Sequence, residues 1–465
     1  MGGATRRDGT EQGEAGLVSG GRRLGIGGIG WGDPLRLLAD ATLFLGLAYA
    51  ICGSAPFKGG FGGDTSQGNA MLRLLPMSLF AMAMPLLIVR WPLVRLMLTR
   101  NWVMVLTLGW LVLSIGWSDM PGLSLRRVGF LVIGYMTAMG VAAWADDIER
   151  TTKIIAALLV IVVLIDLISV PLVPHLAMSD EGARGMHLQK NQAGGVCLLA
   201  IIVLSFCLPS LRRLWGVALV VGLMGLTVVF LILTKSKTSM ALVGIYLVFL
   251  LPLSAGLAWE RGRGIVLILF AGVAVSLLVF TVGVQGWTLP DVLELVFGDP
   301  TFTGRTDIWD FALDQIAERP FLGTGYGAFW DVGEAHDPLR HANSWLRFVG
   351  EGIINQTHNG YLDLWVQAGL PAMLGGAIGM VRPLVLAGLG LVRDGWRRVQ
   401  WIGYAQIFSL MMLFLLYNLM ESAVLSRVHF LGFIIFLYIL FAERWTMPDI
   451  ALSRGMPTSA WGEVR

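Results

Sequence analysis

Long apolar blocks separated by short polar breaks run from about residue 36 to residue 443. Twelve of them approach the ~20 residues that an α-helix needs to cross the hydrocarbon core of a bilayer. They cover 36–55, 72–90, 102–117, 127–145, 153–173, 194–210, 214–233, 238–258, 264–284, 360–391, 401–420 and 428–443. The ninth block is followed by a long polar stretch, 285–358. The pattern predicts an all-α, polytopic membrane protein of about 12 transmembrane helices with one long loop. Its parts are an arm over 1–33, nine helices within 34–284, the loop over 285–358, three helices within 359–445 and a tail over 446–465.

Composition narrows the class. Charged residues are 14% of the 465, against roughly 25% in soluble globular domains. A soluble enzyme, a disordered chain and a secreted disulfide scaffold are excluded. The net charge of +3 comes with no basic stripe, which argues against nucleic acid as a partner. Cys52, Cys197 and Cys207 lie in or beside apolar runs with no CxxC spacing, so neither a metal site nor a disulfide framework is indicated. The Gly-rich first 33 residues carry Arg6, Arg7, Arg22 and Arg23 but no compact apolar core with a cleavage site. They read as a disordered basic arm and not as a cleaved signal peptide.

Sorting the charges by side adds more. With the N-terminus inside, 20 of the 34 Lys and Arg fall in the inner breaks, 13 fall outside and Arg382 lies within a span. Every inner break is basic, so the positive-inside rule puts both termini in the cytoplasm of a bacterial inner membrane and the long loop in the periplasm. The outside set is Lys58, Arg73, Arg126, Arg127, Arg184, Lys190, Lys235, Lys237, Arg305, Arg319, Arg340, Arg347 and Arg427. Any one of these can snorkel to a lipid headgroup. As a set they suit an anionic group at the membrane surface, such as a lipid diphosphate.

Within the loop, segment 303–319 reads as an amphipathic helix. Thr303 or Thr306 caps it, Ile308, Trp309, Ala312, Leu313 and Ile316 form one stripe, and Pro320 stops it. Arg305 falls at the edge of the apolar face. Gly323, Gly325 and Gly327 alternate after it; they suit a structural turn, and a phosphate cradle is the rarer use of such a pattern. His358 lies among Thr357, Asn359 and Tyr361 at the mouth of the tenth span, with no metal partner at i+3 or i+4, which favours hydrogen bonding or proton transfer. Glu421 is placed either to orient His358 or to pair with an arginine. Lys235 and Lys237 stand among the hydroxyls of Thr234, Ser236 and Thr238, a set suited to anionic oxygens, and Lys190 with Asn191 forms a similar group. Asp166, inside the fifth span, is an intramembrane carboxyl and therefore a functional candidate.

These residues resemble the O-antigen ligase and Wzy-type polymerase family. The likeness covers roughly 100–440 and is carried by Lys190-Asn191, Ser236-Lys237-Thr238, Thr303-Gly304-Arg305 with Trp309, the run from Arg319 to Gly327, His358-Asn359 with Gly369-Leu370-Pro371, and Glu421. The resemblance implies a fold like that of lipid-dependent GT-C glycosyltransferases and an undecaprenyl-diphosphate-linked oligosaccharide as donor. It implies metal-independent transfer with no cofactor. Arg305 would stabilise the departing diphosphate, His358 would be the base or acceptor-orienting group, and Glu421 would support it. Lys190, Asn191, Lys235, Lys237, Arg126, Arg127, Arg319, Asn359, Tyr361 and Arg427 would line the diphosphate and glycan site. Membrane lipids are the surroundings, and a chain-length regulator or export complex is the class of protein partner. Lys190-Asn191 and Ser236-Lys237-Thr238 look more like the exopolysaccharide polymerases. Ala372 stands where the ligase pattern usually has a small or hydroxylated residue. The expected activity is polymerisation of lipid-linked repeat units. The alternatives are ligation of finished glycan to lipid A core or protein, and, from another class, a small-anion permease.

Overall fold

The computed structural model describes residues 32–53, 70–259, 305–342, 344–349, 354–395, 398–426 and 431–447. Helices occupy eleven of the twelve expected blocks. The ninth, 264–284, lies outside the described residues, as do residues 1–31, the tail beyond 447, Lys58 and Arg427. In chain order the helices are α1 (Gly32–Cys52), α2 (Ala70–Val89), α3 (Trp91–Arg100), α4 (Trp102–Leu113), α5 (Pro121–Ala143), α6 (Ile148–Leu172) and α7 (Pro174–Ala177). A two-strand turn, β1 (Met178–Ser179) and β2 (Gly182–Ala183), follows. Then come α8 (Lys190–Cys207), α9 (Leu214–Thr234), α10 (Lys237–Ile245), α11 (Leu251–Ala258), α12 (Arg305–Glu318), α13 (Gly360–Asp394), α14 (Arg398–Tyr417) and α15 (Leu431–Trp445).

Among the described residues, eight helices are long and apolar enough to cross a membrane, α10 and α11 counting as one. A ninth is added if α2 and α3, bent by 99° at Arg90, are one broken span. Apolar side chains around the whole helix circumference leave only packing to decide which face is inside. The central helices are α8 and α14, each 78% buried over its apolar window, and α9 is peripheral at 22%.

At one end of the bundle, arginines converge on acids. Asp146 accepts from Arg90 at 2.8–2.9 Å and pairs with Arg36 and Arg444. Arg90 also lies 4.0 Å from the Trp144 ring centroid, a cation–π contact. Glu443, fully buried, takes Arg100 and Arg382, which gives Arg382 its partner inside the tenth expected span. Burial pushes the Asp146 carboxyl up, but its hydrogen bonds with Arg90 and the charges of Arg444 and Arg90 prevail and hold it below the ordinary carboxylate range. A depressed folded-state value contributes stability above the unfolded value of about 3.9, and that contribution is lost as pH falls through the folded value. Asp146→Asn is expected to remove roughly 1.5–3 kcal/mol at pH 7. Thermal unfolding in detergent should show the gap between wild type and variant closing only below about pH 4.

At the other end, called the outer end here, the Gly-rich turn after α12 clasps α13. Gly323, Gly325 and Gly327 take φ of 63°, 96° and 75°, a region other residues rarely adopt. Their backbone is spoken for: Tyr326 N–H donates to Ser114 Oγ at 3.1 Å and Gly327 N–H to Gln367 Oε1 at 2.9 Å. The motif is therefore a packing turn. Helix α13 is itself broken at Gly369, φ 78°, where a Cβ would collide with the Phe321 carbonyl. The turn fills the break. Leu370 N–H donates to Pro320 O at 2.9 Å, Trp365 Nε1 to the same oxygen at 2.8 Å, and Thr324 N–H to Val366 O at 3.2 Å.

Candidate functional site

The expected helix at 303–319 forms over Arg305–Glu318, with Ile308, Phe311, Ala312 and Ile316 buried against the outer end. Its first residue, Arg305, is drawn to the turn that follows α14. That turn is shaped by Asn418, whose Oδ1 accepts from the N–H groups of Ala423 and Val424 at 3.0 and 2.9 Å. Glu421 N–H bonds back to Tyr417 O at 2.9 Å. Glu421 is thereby held at the outer end with its side chain 2% exposed.

Glu421 is the meeting point of the site. Oε1 accepts from Arg305 Nη2 at 3.0 Å and from Asn191 Nδ2 at 2.9 Å. Oε2 lies 3.0 Å from His358 Nδ1. Arg305 Nη1 also donates to Met420 O at 2.5 Å. A carboxylate can only accept, so Nδ1 of His358 carries a proton, and in the neutral ring Nε2 then holds the lone pair. Among the described residues no hydrogen bond engages Nε2, and the ring is 26% exposed. A carboxylate on one nitrogen with the other free is the arrangement of a general base.

His358 itself has φ 56°, a left-handed conformation that costs a non-glycine residue energy and often marks a functional turn. The surrounding contacts over-determine it. Trp309 Nε1 donates to Thr357 O at 2.9 Å, and Thr357 N–H donates to Asp363 Oδ1 at 3.0 Å. Asp363 Oδ1 also takes Trp330 Nε1 at 2.8 Å. Asn359 then caps α13, its Oδ1 accepting from Tyr361 and Leu362 N–H.

Three helix starts meet at this carboxylate, and a fourth stands behind one of them. Arg305 begins α12, Asn191 lies in the first turn of α8, and His358 and Asn359 precede α13. Ser236, the residue before α10, donates to Asn191 Oδ1 at 3.3 Å. Each N-terminus is equivalent to roughly half a positive charge, so the corner favours an anion. Lys190 and Lys237 are the first residues of α8 and α10, and exposed Lys235 stands two residues earlier with φ 52°. Lys190 rests on Glu181 at 3.1 Å across an exposed pair.

The structure brings together Arg305, His358, Glu421 and Asn191, with Lys190, Lys235 and Lys237 flanking them. It gives other work to the remaining candidates. Asn359 is occupied as a cap, and Tyr361 donates its hydroxyl to Leu415 O at 3.1 Å. Arg127 is buried and donates to the carbonyls of Gly327, Trp330 (2.9 Å) and Asp331 (2.7 Å), fastening the Gly-rich turn to α5. Arg126 precedes it in the first turns of the same helix. Arg319 pairs with Asp119 at 2.7 Å, at the far end of α12 and so about 20 Å along it from Arg305. Asp166 is fully buried and accepts from Met186 N–H at 2.8 Å, with His187 Nε2 2.9 Å away. It anchors the turn before α8. Ser239, Asp363 and Asn418 act on the site without having been singled out for it, and Ser236 acts through Asn191 and not on an anion. Their signal was a polar side chain beside each span end, shared with many residues that do nothing there. Among the described residues no group of three or more His, Cys, Asp or Glu could hold a metal ion.

Two known groups of proteins are similar to this chain. Residues 222–377 match the O-antigen ligase family. The chain is also similar to the exopolysaccharide production protein ExoQ of Rhizobium meliloti (strain 1021), at 26% identity over 284 residues, 59% of this chain. The match spans 62% of that relative's length. Arg305 and His358 fall inside the family match, whereas Asn191 and Glu421 lie on either side of it. The chain is a polytopic helical membrane protein whose residues 222–377 are similar to the O-antigen ligase family.

Proposed function

We propose that this protein is a glycosyltransferase that polymerises polyprenyl-diphosphate-linked oligosaccharide units on the periplasmic face of a bacterial inner membrane, with both termini in the cytoplasm. The observation that carries the reading is the junction of Arg305 and His358 on buried Glu421, among helix starts. Cations and N–H dipoles supply what a departing diphosphate needs, and a fixed imidazole supplies what an attacking hydroxyl needs.

In this mechanism the donor diphosphate lies against Arg305, Lys190, Lys235 and Lys237. His358 Nε2 takes the proton of the acceptor hydroxyl. That oxygen bonds to the anomeric carbon as the bond from carbon to diphosphate breaks, and the polyprenyl diphosphate leaves with its electron pair. The cleaved bond supplies the driving force, so no nucleotide is consumed. The match to a protein named for exopolysaccharide production supports polymerisation. The match to the O-antigen ligase family favours a second reading, ligation of finished glycan to an acceptor.

Glycolipid analysis of a deletion strain separates the two. Polymerisation predicts single lipid-linked repeat units and no long glycan. Long glycan retained on the lipid carrier would establish ligation instead, and an unchanged glycolipid profile would remove both.

A further inference from the structure

We propose that Asn191 is a positioning residue that keeps the Glu421 carboxylate on His358 during transfer; this rests on the functional reading above. Sequence reasoning placed Asn191 among the groups that touch the donor. The structure turns its amide the other way. Nδ2 donates to Glu421 Oε1 at 2.9 Å, while Oδ1 accepts from Ser236 Oγ at 3.3 Å. Ser236 Oγ lies 3.1 Å from Ser239 Oγ, and both serines are fully buried. The carboxylate fixes the amide's sense, because the flipped amide would set its oxygen against Glu421, and the buried serine hydroxyls hold its other end. The approach depends on glycine at 194, where a Cβ would come within 2.5 Å of Ser236 Cβ.

Among the described residues, Oε1 of Glu421 accepts from two donors of different character. Arg305 is cationic, and an incoming diphosphate competes for it. Asn191 is neutral and already committed on its other side. When Arg305 turns to the diphosphate, Asn191 still donates to Oε1, and it stops the carboxylate from rotating away from Nδ1 of His358. The effect therefore belongs to turnover and not to donor affinity.

The test uses the full-length protein in proteoliposomes, with polyprenyl-diphosphate-linked repeat units extracted from a deletion strain as substrate. Asn191→Ala is expected to lower kcat about 10- to 100-fold, as expected for a small misplacement of a catalytic group, with KM for the lipid-linked unit unchanged. Asn191→Asp keeps the shape and the bond from Ser236 but replaces the donor by a second carboxylate, so it should be at least as slow. Ser236→Ala should lower kcat in the same direction by less. A raised KM with normal kcat in Asn191→Ala overturns the proposal and makes Asn191 a donor-binding residue. Wild-type kinetics in Asn191→Asp overturns it too, since shape alone would then suffice. If Asn191→Ala fails to reach the membrane, Ser236→Ala decides: lower kcat at normal KM supports the proposal and wild-type kinetics removes it. A wild-type protein that does not elongate the unit removes the functional reading and this proposal together. An active wild type matched by its variants removes this proposal alone.

Discussion

Arg305→Ala is expected to abolish polymer in cells and to slow transfer by the reconstituted protein on the order of 10²–10³-fold, the usual cost of one preorganised donor to a developing anion. The guanidinium is the cation of the site that is both inside the cluster and only partly buried, at 14% exposure. Alanine leaves Glu421 with Asn191 and His358 as hydrogen-bond partners, so the protein should still accumulate in the membrane. Arg305→Lys keeps the charge but loses the fork that serves Met420 O and Glu421 together, and should recover only part of the activity. Normal chain length in the alanine variant would sink the assignment of Arg305.

The second large effect is at His358. His358→Ala is expected to cost about 10²–10⁴-fold in kcat, the usual contribution of a general base. Glu421→Gln should cost less, because an amide oxygen can still accept from Nδ1 although the charge is gone. The order His358→Ala slower than Glu421→Gln is therefore the distinguishing result. The reverse order, measured as single-turnover rates on the lipid-linked unit, would make Glu421 the reacting group and His358 its support. Both variants must be compared at equal protein in the membrane, since Glu421 is buried and also takes Asn191 and Arg305.

Much of the fold was legible in the sequence for a simple reason. A bilayer demands long apolar runs, and those runs are visible without knowing what packs on what. The breaks inside them were harder. Trp91-Pro92 starts a new helix after Arg90, and Leu370-Pro371 follows the break at Gly369, yet proline and glycine also occur in unbroken membrane helices. For the site, Arg305 stood out at the edge of an apolar helix face, His358 among polar neighbours at the mouth of a span, and Glu421 beside the last two spans. Their grouping did not, because Glu421 lies 63 residues from His358 and 230 from Asn191. Arg127 shows the opposite limit. A basic residue at a span end looks the same in sequence whether it awaits a phosphate or, as here, holds three carbonyls.

The joint between the Gly-rich turn and the break in α13 also constrains how the protein is made. The carbonyl of Pro320 and the N–H of Leu370 satisfy each other across fifty residues of chain. On the topology proposed above, one partner must be exported and the other inserted before either is complete. The histidine turn hangs from the same helix, eleven residues earlier. Export of the loop and maturation of the site are then one event during biogenesis, and a chain stalled with its loop on the wrong side would be catalytically silent although most of its helices were already in the membrane.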